Sequence, residues 1–239
     1  MSASPPAPNL STPKLYTSSA IKSNPYLSAQ ITQLVNSAFY RSKVSSPGVE
    51  SKWDNTRPRF ESPDALHAML SDERSVMAVI FDDSSSSPAT SATESGEEEE
   101  GGEDDEDDDE RLVVACAAAI PWAGGWHREG ASTERGWEIK TICVHGDAKY
   151  LRKGLAVQLL GFLEEYLVRL ERKALAVKGG EGGNAEGKVT LWILAADCIN
   201  GVYWRKRGFE EVRRSTEGSG VWGCRTEFDM VVLKKEVRF

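Results

Sequence analysis

The longest helical pattern in the chain begins directly behind a glycine turn, and that turn follows a strand-like run. In "GLAVQLLGFLEEYLVRLERKAL" (residues 154–175), Leu155, Leu159, Phe162, Leu163, Tyr166, Leu167 and Leu170 recur at steps of three and four, the period of one helix face. Before it, "WEIKTICV" (137–144) alternates as a strand does, and after it "KVTLWILAA" (188–196) is the short apolar run of a buried strand. A long helix with one apolar face between two strands must lie on a sheet, so the chain is a mixed α/β protein.

The remaining segments extend this plan. "NPYLSAQITQLVNSAFYRS" spaces Leu27, Ile31, Leu34, Val35, Ala38 and Phe39 as an amphipathic helix, and Ser62 before Pro63 opens a second, short one. "SVMAVIFDD" and "RLVVACAAAIPW" read as strands, "NGVYWRKRGF" as a short helix ending at a glycine, and "TEFDMVVLKKEV" as a last strand. The order is roughly β-α-α-β-β-β-α-β-α-β in a single domain over residues 14–239, behind a loose, Pro/Ser-rich stretch at 1–13.

Charge is distributed unevenly. The chain carries −8 overall, yet residues 84–110 alone hold thirteen acids and no Lys or Arg, so without them the balance is +5. A like-charged block poor in apolar residues cannot offset its own ordering entropy. Lying between two strand-like runs, it is expected to be a disordered acidic hairpin loop. It would attract basic partners, dock on the chain's own basic residues, or merely solubilise; Ser95 with Glu98 three residues on also makes a casein-kinase-type acceptor pattern. Dispersed basic residues beside an acidic block give no footprint for nucleic acid. No apolar run approaches the roughly 20 residues of a membrane span, and the first residues lack the apolar core of a secretory signal. Cys116, Cys143, Cys198 and Cys224 are far apart without a CxxC pair, which reads as reduced thiols in or near the core of an intracellular protein and leaves no metal site.

The turn "LRKGLA" (Leu151 to Ala156) has chemistry of its own. A helix start offers unpaired N–H groups and partial positive charge, a natural seat for phosphate. Gly154 lets a ligand approach the backbone, Ala156 keeps the first turn open, and Arg152 and Lys153 add charge. A basic loop capping a core helix is the plainer alternative. The turn is neither a P-loop nor a dinucleotide fingerprint, since GxxxxGK[ST] and GxGxxG are both absent. Some 45 residues downstream, Asn200, Tyr203, Gly208 and Phe209 stand in "NGVYWRKRGF" directly after the buried strand.

Strand, glycine turn, long helix, strand and short helix ending in Gly-Phe together resemble the GNAT superfamily of acyl-CoA-dependent N-acetyltransferases. The resemblance spans roughly residues 14–237, with specific motifs only in 138–156 and 200–209. It implies a GNAT-like α/β (mixed α+β) fold: a central mixed, mostly antiparallel sheet with helices on both faces. In that family the turn reads (Gln/Arg)-x-x-Gly-x-(Gly/Ala) and its amides hold the CoA pyrophosphate. Gly154 and Ala156 match, while Leu151 replaces the first polar residue, and Trp204 stands where the family often has Tyr. The implied co-substrate is acetyl-CoA, held by the backbone of Ile142, Cys143 and Val144, by Arg152, Lys153, Gly154, Leu155 and Ala156, and by Asn200.

Acetyl transfer to an amine needs a base, because a lysine-type amine with a pKa of about 10.4 is mostly protonated at neutral pH. It also needs a donor for the oxyanion, such as a strand N–H freed by splaying, and an acid for the thiolate. The resemblance points to Glu138 as base, against a merely solvated strand glutamate, with His145 as rival base or cap. Tyr203 is the acid or a packing residue; otherwise water protonates the thiolate, or the thiolate leaves unaided. Residues 39–53 and 121–130 would line the acceptor side, where Trp53, Trp122 and Trp126 form an aromatic wall or simply pack. The acceptor is then an amine, small or on a basic protein segment. A second reading is an idle GNAT-like module that holds basic proteins through its acidic loop.

Overall fold

Both faces of strand β2 (Val76–Asp82) are covered, and its alternation divides the core in two. Val76, Ala78 and Ile80 face one apolar cluster, while Met77, Val79 and Phe81 face the other, as the period of two requires. The computed structural model describes residues 7–45, 52–85, 111–179 and 187–239. Among these the other strands are β1 (Lys14–Thr17), β3 (Leu112–Pro121), β4 (Trp137–Val144), β5 (Lys188–Ala196), β6 (Glu210–Glu217) and β7 (Phe228–Arg238). They form one sheet in the order β1-β2-β3-β4-β5-β7-β6. Every neighbouring pair is antiparallel except β4 and β5, which run parallel.

Helices α1 (Ser18–Ser23), α2 (Pro25–Val44) and α3 (Pro63–Met69) cover one face. Asn24 caps α2, its side chain accepting from the Leu27 N–H at 2.8 Å, and Pro25 occupies the first turn, where a missing N–H costs nothing. Leu27, Ile31, Leu34 and Val35 are its buried side. Helix α4 (Leu155–Gly179) covers the opposite face with Leu155, Leu159, Leu160, Leu163 and Leu167. Leu170, expected on that face, is exposed. A π-type turn, Asp197–Gly201, leads from β5 into the short α5 (Val202–Arg205). No helix among the described residues is long and apolar enough to cross a membrane.

Three expectations change in the structure. Strand β6 was not foreseen: "EEVRRSTE" has no apolar alternation because it is a charged edge strand. Its Arg214 pairs with Glu211, Asp197 and Asp229. The expected loose N-terminus divides, since residues 7–13 run along β2, with Leu10 bridged to Asp82 and the Ser11 N–H donating to the Phe81 carbonyl at 3.0 Å. Cys198 is exposed, whereas Cys116, Cys143 and Cys224 are buried free thiols. Strands β2 and β3 pair as the two arms of a hairpin. Residues 86–110, and with them most of the acidic run, lie outside the described residues.

Candidate functional site

Strands β4 and β5 share a ladder of only two pairs, Trp137 with Leu191 and Glu138 with Trp192. Beyond it they diverge, and a cavity of about 350 Å³ opens between residues 139–143 of one and 193–196 of the other. The base of this fork is tightly built. Trp122 stacks on Trp192 at 4.8 Å with the rings 3° from parallel, and Trp192 Nε1 donates to the Arg135 carbonyl at 2.9 Å. Gly136 has φ 127°, and a Cβ there would lie 2.2 Å from the Thr190 carbonyl oxygen. Only glycine lets the start of β4 come this close to β5.

A bulge then re-aims β4. Cys116 pairs with Cys143 and Ala118 with Lys140, so Ala117 alone faces both Thr141 and Ile142. Thr141 has φ 49°, a left-handed conformation rare for a β-branched residue and a strained one. The extra residue reverses the alternation: Ile142 and Val144 pack with Ile139 toward α4, and Cys143 faces the α2 side. Against β5 the strand beyond Glu138 has no ladder, so the cleft-facing edge of β4 has backbone groups available to a ligand.

Glu138 lies within the cavity wall and is 3% exposed. Burial pushes its carboxyl above the ordinary glutamate range, although Lys140 and Arg59 pull the other way. Lys140 Nζ sits 3.1 Å from Oε1. A buried carboxylate with raised pKa in a cleft has the properties of a general base.

The other sequence candidates separate into two groups. Ile142, Cys143 and Asn200 line the cavity. Val144 ends β4, and its carbonyl accepts from Arg41 Nη2 of α2 at 2.6 Å. Arg152, Lys153 and Gly154 form the exposed turn after β4, Leu155 is buried in the core behind it, and Ala156 is partly buried. Gly154 has φ 81°, and a Cβ there would meet nothing within 4 Å. The space over the first turn of α4 is therefore open. Tyr203 does not line the cavity: its ring packs edge-on to Trp204 at 5.0 Å, and its buried hydroxyl has no hydrogen-bond partner among the described residues. Trp204 lines the cavity in its place. One residue is 100° of helix, so only one of the two neighbours can face the cleft. His145 also lies outside the lining; its Nδ1 accepts from the Asp147 N–H at 3.2 Å, a cap on the turn.

That turn is pinned from below. The Tyr150 hydroxyl donates to Asp82 Oδ2 at 2.5 Å and Lys149 Nζ does so at 3.1 Å, while Ser84 and the Asn9 N–H donate to Oδ1. Burial alone would raise the Asp82 carboxyl, but the bonds from Ser84, Tyr150 and Lys149 outweigh it and hold the pKa far below the usual range.

Sequence reasoning missed part of the lining. Trp53 and Trp126 are in the wall as expected, but Trp122 packs on Trp192 instead. Lys43, from the 39–53 segment, lines the cavity too, and Trp222, Arg57, Arg59 and Lys140 join it without having been foreseen. Trp222 had no motif to mark it, and Arg57 and Arg59 lie in an irregular segment without periodicity.

No protein-family model matches the chain, and no curated protein matches it either. Solved structures do. A candidate acetyltransferase from Acinetobacter baylyi is similar at 12% identity, with 94% of this chain and 92% of that one covered and a TM-score of 0.51. Similar also are yncA, a candidate acetyltransferase from Salmonella typhimurium solved with its cofactor acetyl-CoA (12% identity, 94% of each chain, TM-score 0.48), and a GNAT-family acetyltransferase from Streptococcus pneumoniae (9% identity, 94% of this chain and 99% of that one, TM-score 0.48). The likeness is one of fold: this chain has the open, mostly antiparallel GNAT-like architecture.

Proposed function

We propose that the protein is an N-acetyltransferase that moves an acetyl group from acetyl-CoA to a primary amine. The observation that carries this reading is the fork between β4 and β5, with a buried glutamate of raised pKa in its wall and an open glycine turn beyond its end. The residues fit the co-substrate. Gly154 leaves room over the first-turn amides of α4, Arg152 and Lys153 flank them, and the cleft edge of β4 at Ile142 to Val144 can pair with an amide-bearing arm. Acetyl-CoA, when bound, supplies an activated acyl group and a thiolate leaving group.

The chain's own groups would do the rest. Glu138, poised by burial, takes the proton of the incoming ammonium directly or through water. Backbone N–H groups on the unpaired edge of β4, held by the Thr141 bulge, stabilise charge on the carbonyl oxygen. With Tyr203 turned away from the cavity, water is the better proton source for the thiolate.

The test is calorimetric titration of acetyl-CoA into wild type and Gly154→Glu, followed by assay of CoA release with a panel of amines. Binding by wild type, lost in the variant, and CoA release with at least one amine are expected. A chain that binds acetyl-CoA but releases no CoA with any amine would sink the catalytic reading.

A further inference from the structure

A second cavity of about 360 Å³ adjoins the first and shares Phe39, Lys43, Arg57, Pro58 and Arg59 with it. Among the described residues lining the two, the cations are Lys43, Arg57, Arg59 and Lys140, and the one carboxylate is Glu138. Lys140 is engaged by Glu138 at 3.1 Å. The other three make no direct ion pair with a carboxylate among the described residues. Lys43 Nζ reaches only backbone carbonyls, those of Trp222 at 3.4 Å and Asp54 at 3.5 Å, and lies 5.7 Å from the Trp53 ring. The Arg59 guanidinium sits 5.5 Å from the Phe39 ring and 5.6 Å from that of Phe60. Asp54, the nearest acid to this group in sequence, turns its carboxylate to Thr56 and Arg225.

Asp54 acts on Lys43 and Arg57, and Glu138 on Arg59, only as nearby charges without a direct ion pair, so the lining keeps a positive surplus that an anion in the cavity would meet. Burial lowers the pKa of the half-buried Lys43, whereas Arg57 and Arg59 are exposed. Neither cavity is lined by any residue of the turn at 145–156, so these charges stand apart from the seat described for the diphosphate. Arg59 is close enough to Glu138 for their charges to interact. A ligand that satisfies both carries an ammonium and a carboxylate a short distance apart. Trp53, Trp126 and Trp222 offer apolar surface for whatever else it carries.

Building on the acetyltransferase reading, we propose that the acceptor is an α-amino acid, its amine at Glu138 and its carboxylate at Arg59, Arg57 and Lys43. The same charges repel a polyamine or a basic protein tail.

The test uses the full chain with saturating acetyl-CoA. Leucine, methionine and glutamate are each compared with their amides, leucine and methionine also with their decarboxylated amines, and spermidine is included. Each amino acid that is turned over is expected to exceed its neutralised counterparts by roughly 10- to 100-fold in kcat/KM, the range of one hydrogen bond to a charged group. Arg59→Gln should raise its KM by a similar factor and erase the preference, Arg59→Lys should restore part of it, and acetyl-CoA affinity should not change. In parallel, tryptophan emission follows direct binding of N-acetylleucine against N-acetylleucinamide. Amides or spermidine turned over as well as the amino acids would overturn the proposal and leave acetyl transfer standing. N-acetylleucine bound by wild type, lost in Arg59→Gln, and no turnover of any amine would keep the anion site and overturn acetyl transfer. Loss of acetyl-CoA affinity in Arg59→Gln would assign these cations to the donor and overturn the proposal, as would absence of both binding and turnover.

Discussion

Replacing Tyr150 by Phe removes one hydroxyl from the pin beneath the glycine turn and leaves the ring packing in place. Tyr150 is 1% exposed, and its hydroxyl donates at 2.5 Å to an Asp82 carboxylate that is itself 0% exposed. A hydrogen bond to a charged group contributes about 1.5–3 kcal/mol. For a chain of this length, 1 kcal/mol moves Tm by about 2–4 °C. Tyr150→Phe should therefore lower Tm by about 3–12 °C at neutral pH. The sign of the pH dependence follows from Asp82, whose folded pKa is depressed by its hydrogen bonds against the opposing effect of burial. Its contribution is present above the unfolded carboxylate value of about 3.9 and is lost as pH falls toward the folded value. The gap between wild type and variant should thus be widest near neutrality and close in acid. Thermal unfolding by circular dichroism measures both. A double-mutant cycle with Asp82→Asn isolates the bond, because the Tyr150 effect should shrink when its acceptor has no charge. A Tm loss below about 1 °C at neutral pH would refute the reasoning about the buried bond. So would an equal loss in the Asp82→Asn background, which would make Tyr150 a packing residue only.

Other outcomes follow from the same geometry. Glu138→Gln should cut kcat by about 10²- to 10⁴-fold with acetyl-CoA affinity unchanged; equal kcat would remove Glu138 as base. Because burial raises the Glu138 pKa, the acid limb of the wild-type pH–rate profile should lie above the ordinary glutamate range, and it should vanish in Glu138→Gln. Gly154→Ala meets no steric clash but forces a side chain onto φ 81°, so it should destabilise by about 1–2 kcal/mol in urea unfolding. A neutral result there would mean the turn relaxes. Trp192→Ala empties the stack at the base of the fork, where Trp192 is 5% exposed, and should cost about 3–5 kcal/mol in the same experiment. A loss no larger than that of a surface substitution would show that the fork does not depend on the stack.

Much of this architecture is decided by neighbours along the chain and so could be read from the sequence. The buried faces of α2 and most of α4, the Asn24 cap and the open turn at Gly154 each depend on residues one to four positions apart, and β2 and β3 each show as an apolar run of their own. Strand β6 escaped because an edge strand has no buried face to write a period into its sequence. The site depends on other distances. Simple alternation from Glu138 would set Ile142 and Val144 on its face, and no local signal announces the bulge that puts Thr141 at φ 49° and Cys143 there instead. The single-residue choice between Tyr203 and Trp204 was settled by packing against the sheet. Arg57 and Arg59 share a cavity wall with Glu138 only because the fold brings the segment before α3 to the fork. Helix faces and turns are set by local period and backbone sterics. A cleft arises where strands distant in sequence stop pairing, and the charges gathered around it come from segments that only the folded chain brings together.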